Sequence, residues 1–331
     1  MEVLQLTTNY PCQENPIFGI FMKEQVESVE KYGVNNTIIF SNGLKSNPKI
    51  RFSASLIHLR TALKLLWHLK THKYDIIHCH NVLAGLILQI ACGLNNRNTI
   101  LSLQIDPETP GSPDQKYTHK LYPKFAKIIV KKQLKHHKDK FIYLPNGVNL
   151  ELFRPLNKEE CKRKLGLDLY KRYILFVDSN TFKARTQKRK DRFDETLEIL
   201  RNKYGYDNLE PLVMTKTGRE DVPYWMNACE LYLLSSDEEG SPNAVKECMA
   251  CNVPVVATPV GNIPDLFEDV KWCHMTKGFE AEELAKYADL VLDSKDKIDT
   301  RSKIIEKGLD MDSIARKLYE LYKELAGKRS R

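Results

Sequence analysis

The sequence predicts an α/β protein built from two Rossmann-like units facing one another across a cleft, and three observations predict it. Short β-branched runs alternate with amphipathic helical stretches from Val3 to Leu144, the pattern of a parallel sheet covered on both faces. The alternation restarts after the turn signal Asn146-Gly147 and the link-like Phe153-Arg154-Pro155. The length of 331 residues suits two domains, each of about 150 residues with its own core. The expected divisions are residues 1–155, residues 156–310, and a C-terminal helix within 311–331.

In the first unit, Val3–Thr7 reads as a strand and Ile17–Lys31 as a helix with Phe18, Met22, Val26 and Val29 on one side. Strands are expected at Thr37–Phe40, Asp75–Cys79, Thr99–Leu103 and Phe141–Leu144, and helices at Ser53–Leu69, Val82–Leu94 and Tyr117–Leu134. In the second unit, strands are expected at Tyr173–Val177, Leu212–Met214, Leu231–Leu234 and Val253–Thr258. Its expected helices are Phe193–Tyr204, Pro223–Ala228, Asn243–Ala250, Ile263–Phe267 and Ala281–Leu292. Ser313–Leu325 places Ile314, Leu318, Leu321, Tyr322 and Leu325 on one helical face. Open parallel sheets bind ligands beyond the carboxyl ends of their strands, so the functional loops should follow strands.

Composition narrows the function classes. The N-terminus MEVLQLTTNY has no basic stretch before a long apolar run and does not read as a signal peptide. The apolar run Val82–Leu94 is too short to span a bilayer, so a cytoplasmic protein is expected. The eight cysteines are scattered and read as free thiols, with Cys248 and Cys251 as small helix-packing residues. The net charge of +8 is uneven: residues 1–150 hold 19 Lys and Arg against 10 Asp and Glu, whereas the remainder holds 32 against 33. The excess, concentrated between Lys116 and Lys140, is either a solvated face or an attraction to an anionic membrane surface. No nucleic-acid partner is expected, because no stacking-aromatic motif accompanies it. No G-x-G-x-x-G follows the first strand, which argues against a dehydrogenase.

The chemistry concentrates in SSDEEGSPNAVKECMACNVPVVATPVGNIPDLF, Ser235 to Phe267. A strand should end at Ser235 and release Asp237, Glu238 and Glu239 into a loop, with Gly240 permitting the turn. Ser241 suits a helix cap and Pro242 a first helical position. The amides of Asn243, Ala244 and Val245 would then face outward at a helix N-terminus, a phosphate site. Glu247, one turn on from Asn243, can reach a hydroxyl pair beside that phosphate, such as a ribose, while Glu239 faces the other end of the ligand.

These residues carry a resemblance. EGSPNAVKE (Glu239–Glu247) followed by ACNVPVVATPVG (Ala250–Gly261) resembles the signature of glycosyltransferase family 4. PNGVNLELFRP (Pro145–Pro155) is similar to that family's interdomain link, and YPCQENPIFGIFMKEQVESV resembles its first loop and helix, with Gly19 where a glycine approaches the donor. The resemblance implies a GT-B fold and a retaining, metal-independent glycosyltransferase of hexosyltransferase type. It also implies a C-terminal helix returning to the N-terminal domain. Glu247 would contact the donor ribose and Glu239 the transferred sugar, as nucleophile or as stabiliser of an oxocarbenium-like state.

The leaving diphosphate then needs positive charge from the protein. The family carries an Arg and a Lys after the first strand of its second domain. In DSNTFKARTQKRKDRF, Arg185 and Lys190 have that spacing, with Lys183, Lys188 and Arg192 as rivals. On the acceptor side His80, Gln104 and Asp106 are the candidates, and the spacing around His78 and His80 does not suit zinc. The implied partners are a nucleotide sugar and a glycan or lipid-linked acceptor in cell-surface polysaccharide synthesis, with no cofactor, at the cytoplasmic face of the membrane. The competing classes are a nucleotide-sugar epimerase of the same architecture and a non-catalytic sugar-nucleotide-binding module.

Overall fold

The computed structural model of the chain describes residues 1–13, 16–41, 51–93, 98–104, 119–134, 139–178 and 186–327. It divides into two compact units, Met1–Gly147 with Met311–Arg331, and Val148–Asp310. The division falls ahead of Pro155 because the link folds with the second unit, where Val148 and Phe153 are buried in the core.

The first unit is a parallel sheet of six strands in the order β2-β1-β3-β4-β5-β6. The strands are β1 (Glu2–Thr7), β2 (Asn35–Phe40), β3 (Ile76–Cys79), β4 (Thr99–Ser102), β5 (Lys127–Val130) and β6 (Phe141–Tyr143). Side chains alternate across the sheet as the two-residue period requires. Leu4, Leu6, Ile77, Leu101 and Ile128 pack on helices Arg51–Thr71 and Val82–Cys92 through Ala62, Leu65, Ile87 and Leu88. Val3, Ile76, Ile100 and Ile129 face the other way, where helix Met311–Gly327 buries Ile314, Leu318, Tyr322 and Leu325. This last helix belongs to the first unit although the second unit precedes it in sequence.

One expected element is corrected. Tyr117–Leu134 is not one helix: Tyr122–Lys124 is a single 3-10 turn and Lys127–Val130 is strand β5, paired to β4 and β6. Pro123 interrupts the helical run, and the β-branched Ile128-Ile129-Val130 fits a position between two strands.

The second unit is a parallel sheet of five strands in the order β11-β10-β9-β7-β8. These are β7 (Arg172–Asp178), β8 (Leu209–Thr215), β9 (Leu231–Leu234), β10 (Val255–Ala257) and β11 (Cys273–Met275). The helices Asn243–Ala250, Ile263–Phe267 and Ala281–Leu292 stand at their expected bounds. Three elements had not been anticipated: helix Lys158–Lys164, capped by the Asn157 side chain at 3.0 Å, strand β11, and helix Arg301–Glu306. Strand order reverses direction between β7 and β9, so the crevice beyond their carboxyl ends is the switch point at which such sheets bind ligands.

Candidate active site

Two loops leave that switch point and are stitched together. After β9, Ser235 Oγ donates to the carbonyls of Lys188 and Arg189, each at 3.0 Å, and the Asp237 amide donates to the Gln187 carbonyl at 2.8 Å. Arg192, almost fully buried, ties the same two loops by donating to the Ser235 carbonyl at 2.6 Å and to Asp237 at 2.8 Å. Thr258, just past β10, donates to the Ser236 carbonyl at 2.6 Å. The acidic loop is therefore held from both neighbouring strands.

This frame sets Glu239 against a cation. Lys188 Nζ donates to Glu239 Oε1 at 2.5 Å, and Ser236 Oγ donates to the same oxygen at 2.9 Å. The Lys188 and Glu239 side chains are only 17% and 18% exposed, so the pair is well removed from bulk solvent. Lys190, the lysine chosen on spacing, lies elsewhere: it pairs with Asp194 one turn along its own helix, Lys190–Tyr204, and both side chains are exposed. The 3-10 turn Thr186–Lys188 precedes that helix and delivers Lys188 instead. Arg185 and Lys183 lie outside the described residues, as does Asp106.

The loop bearing Glu239 fits a glycine turn. Gly261 has φ +56°, and a Cβ there would lie 2.3 Å from the Gly240 carbonyl oxygen. The Asn262 amide donates to that oxygen at 3.0 Å. The residue whose missing side chain shapes this turn is thus Gly261, closing from the strand next door.

Helix Asn243–Ala250 begins as expected, but its cap differs. Pro242 occupies the cap position in an extended conformation and makes no side-chain cap bond. Ser241 does not cap the helix; its Oγ accepts from the fully buried Lys246 ammonium at 3.0 Å. Pro242 has no side-chain acceptor, so the cap residue itself leaves the helix N-terminus, with the amides of Asn243, Ala244 and Val245 in its first turn, uncovered by its own side chain.

Glu247, in the same helix, is nearly buried and accepts from Arg219 Nη1 at 2.7 Å. The Arg219 guanidinium stands 4.6 Å from the centre of the Phe153 ring, a cation–π contact. Arg219 is a site residue that sequence reasoning did not assign. It sits in the loop after β8, and a lone arginine in a polar loop gives no periodic signal.

In the first unit, Gly19 has φ +73° and precedes helix Ile20–Ser28, and a Cβ there would meet the Asn9 carbonyl oxygen at 2.5 Å. His80 is buried, stacks on His78 with ring centres 4.0 Å apart, and shares a 2.7 Å hydrogen bond between Nε2 and Gln5 Oε1. Burial, with the nearby Lys131 ammonium second, pushes the His80 imidazole down to about 3. His78 shares 2.7 Å bonds with Tyr322 Oη and Ser102 Oγ, and burial lowers its basicity as well. These imidazoles form an internal polar network that reaches the C-terminal helix. Gln104 Nε2 donates to the His80 carbonyl at 3.1 Å. Among the described residues no group of three or more His, Cys, Asp or Glu side chains is arranged to hold a metal ion.

Residues 190–294 match the family of glycosyl transferases group 1. The chain is 24% identical over 337 aligned positions to a protein of Bacillus subtilis named as the teichuronic acid biosynthesis glycosyltransferase TuaC, covering 81% of this chain and 83% of the relative. It is 26% identical over 256 positions to an Escherichia coli UDP-Gal:alpha-D-GlcNAc-diphosphoundecaprenol alpha-1,3-galactosyltransferase, covering 64% of this chain and 65% of that protein. Among solved structures, sucrose-phosphate synthase from Thermosynechococcus elongatus superposes with a TM-score of 0.74 at 14% identity, over 99% of this chain and 100% of the other. Anabaena HepE in complex with UDP and glucose gives 0.70 at 15% identity, over 98% and 100%. These likenesses show the GT-B fold and, over residues 190–294, a glycosyl transferases group 1 domain, and they support a glycosyltransferase enzyme.

Proposed function

We propose that this chain is a retaining glycosyltransferase that moves a sugar from a nucleoside diphosphate sugar to a glycan or lipid-linked acceptor in surface polysaccharide synthesis. The observation that carries the reading is the convergence, at one switch point, of Lys188, Glu239 and the start of helix Asn243–Ala250. Transfer breaks the bond between the anomeric carbon and the diphosphate, so negative charge grows on the leaving oxygens. Lys188 and the first-turn amides supply preorganised positive potential there, which lowers the barrier without reorganising solvent. Lys188 takes the role that spacing had given to Lys190, and the reading requires no bound metal.

Glu239 faces the sugar in this scheme. Its carboxylate, fixed by Lys188 and Ser236, accepts from sugar hydroxyls and stabilises positive charge as the anomeric carbon loses its leaving group. Glu247 accepts from the ribose hydroxyls through Oε2, while Arg219 holds Oε1. The named relatives support a uridine diphosphate donor: HepE was solved with UDP and with UDP-glucose, and the Escherichia coli relative is named for UDP-Gal and a diphosphoundecaprenol acceptor. A lipid-linked acceptor would place the chain at the inner membrane face, and no helix among the described residues is long and apolar enough to cross a membrane.

The test is a thermal-shift panel of nucleoside diphosphates and their sugars, followed by an assay for diphosphate release with candidate acceptors. Stabilisation by one base, and release that requires an acceptor, supports transfer. A changed sugar with no acceptor present would identify an epimerase, and binding with no turnover in either assay would identify a non-catalytic module.

A further inference from the structure

Helix Arg51–Thr71 is apolar on two opposite faces. Ala62 and Leu65 enter the core of the first unit. On the opposite side Leu56, Leu59, Leu63 and Trp67 are between 53% and 59% exposed. Their spacing of three, four and four residues aligns them in one stripe along the helix. Four large apolar side chains aligned in water form a patch rather than the scattered exposure of an ordinary surface.

The charges that this helix and the residues up to Tyr74 carry are of one sign. Arg60, Lys64, Lys70 and Lys73 are exposed on or just after the helix. No Asp or Glu occurs from Arg51 to Tyr74. Asp75, the first acid after it, accepts from the Glu2 amide at 2.9 Å. On the neighbouring helix Val82–Cys92, Leu83 and Ile90 are exposed as well, and that helix has no charged residue of its own. By contrast, the basic run Lys116–Lys140 is partly engaged by the fold. Lys127, Lys131 and Lys140 donate to the carbonyls of Asp139, Leu144 and Tyr122 at 2.9, 3.1 and 2.7 Å.

We propose that the Leu56–Leu59–Leu63–Trp67 stripe is a docking surface for an anionic lipid bilayer, with the helix lying in the plane of the leaflet. Leucines and a tryptophan suit the boundary between headgroups and acyl chains. The flanking lysines and arginine extend their aliphatic stems over it and set their charges among lipid phosphates. A second copy of this chain would bring the same cations face to face, which disfavours that occupant. The inference deepens the peripheral placement proposed above and rests on that reading only for its purpose. Its assay contains neither donor nor acceptor, so its failure is separate from failure of the transferase reading.

The experiment is co-sedimentation of the full chain with phosphatidylcholine vesicles, with and without phosphatidylglycerol, alongside tryptophan emission. The wild-type chain should partition onto the phosphatidylglycerol vesicles, with a blue-shifted emission and with binding that weakens as salt rises. Leu59→Glu with Leu63→Glu should lower the partition coefficient at least about tenfold without changing the thermal midpoint. Arg60→Glu with Lys64→Glu should remove the preference for phosphatidylglycerol. If the double glutamate variant does not fold, Leu63→Ser gives the same reading at smaller amplitude. Absence of wild-type binding, or equal binding by the apolar-to-glutamate variant, would overturn the proposal. So would a wild-type dimer in sedimentation velocity that the same variant converts to monomer, because the stripe would then belong to a second copy.

Discussion

Lys188 and Glu239 meet at 2.5 Å from loops that follow β7 and β9, the two strands on either side of the switch point in the second sheet. They are 51 positions apart in sequence and touch because Ser235 and Asp237 bond the two loops together. Attraction between unit charges at such a site is worth a few kcal/mol at an effective dielectric near ~20, and desolvation offsets much of it. The pair therefore contributes little net stability. What it provides is a positioned ammonium beside a positioned carboxylate, the ammonium that the proposed scheme gives to the donor diphosphate.

Arg219 should prove to be a binding residue through Glu247. Arg219→Ala leaves the nearly buried Glu247 carboxylate without its cation, which costs about 3 kcal/mol of stability. Donor affinity should fall about tenfold to a hundredfold, because the carboxylate proposed to hold the ribose loses its fixed orientation. Adding Glu247→Gln should recover part of the lost stability and none of the affinity. Chemical denaturation and donor titration calorimetry read the two effects separately.

Gly261→Ala should damage the site without touching a ligand. The added Cβ would lie 2.3 Å from the Gly240 carbonyl oxygen, at a backbone φ of +56° that alanine adopts reluctantly. A cost of roughly 2–3 kcal/mol is expected, together with displacement of the Glu239 loop. Turnover should fall more than the denaturation midpoint alone accounts for; full activity would detach this turn from the site.

Stability should fall on acidification below the ordinary histidine range. Burial holds the His80 imidazole at about 3 in the fold, against 6.5 when unfolded, and lowers His78 in the same direction. Between those values the unfolded chain binds protons that the folded chain refuses, so stability rises with pH across the window and is lost as pH falls through it. His80→Gln should flatten the slope of stability against pH over that interval, as measured by urea midpoints at several pH values.

The C-terminal helix should report on the same network. Tyr322→Phe removes the hydroxyl at 2.7 Å from His78 Nδ1 and 3.3 Å from Gln5 Nε2, leaving both buried groups one partner short. The expected cost is about 1–3 kcal/mol, visible in hydrogen exchange of the helix Met311–Gly327 amides.

Much of the fold was legible because its signals are local. The apolar run Leu231–Leu234, the prolines at Pro242 and Pro264 and the glycine turn at Gly261 each punctuate the chain, and the helices Asn243–Ala250 and Ile263–Phe267 have the bounds those residues set. Strand β5 was hidden because Lys127 to Val130 is flanked by lysines at helical spacing, and only its pairing to β4 and β6 decides its state. Spacing selects Lys190 because it does not show where the helix begins. A lysine inside the helix reaches its own i+4 aspartate, whereas one in the preceding turn reaches the neighbouring loop. Arg219 was invisible because its meaning lies in Glu247 and Phe153, neither near it in sequence.

The most direct test of the account compares nucleoside diphosphate release by the wild-type chain, Lys188→Ala and Lys190→Ala, with the same donor and acceptor. Lys188→Ala should lower turnover about a hundredfold to a thousandfold with a smaller change in donor KM, since its charge matters most in the transition state. Lys190→Ala should stay within about twofold of wild type, because its exposed partner Asp194 lies on the helix surface. Unimpaired release by Lys188→Ala, or a collapse confined to Lys190→Ala, would contradict the placement of the donor diphosphate beside the Lys188–Glu239 pair.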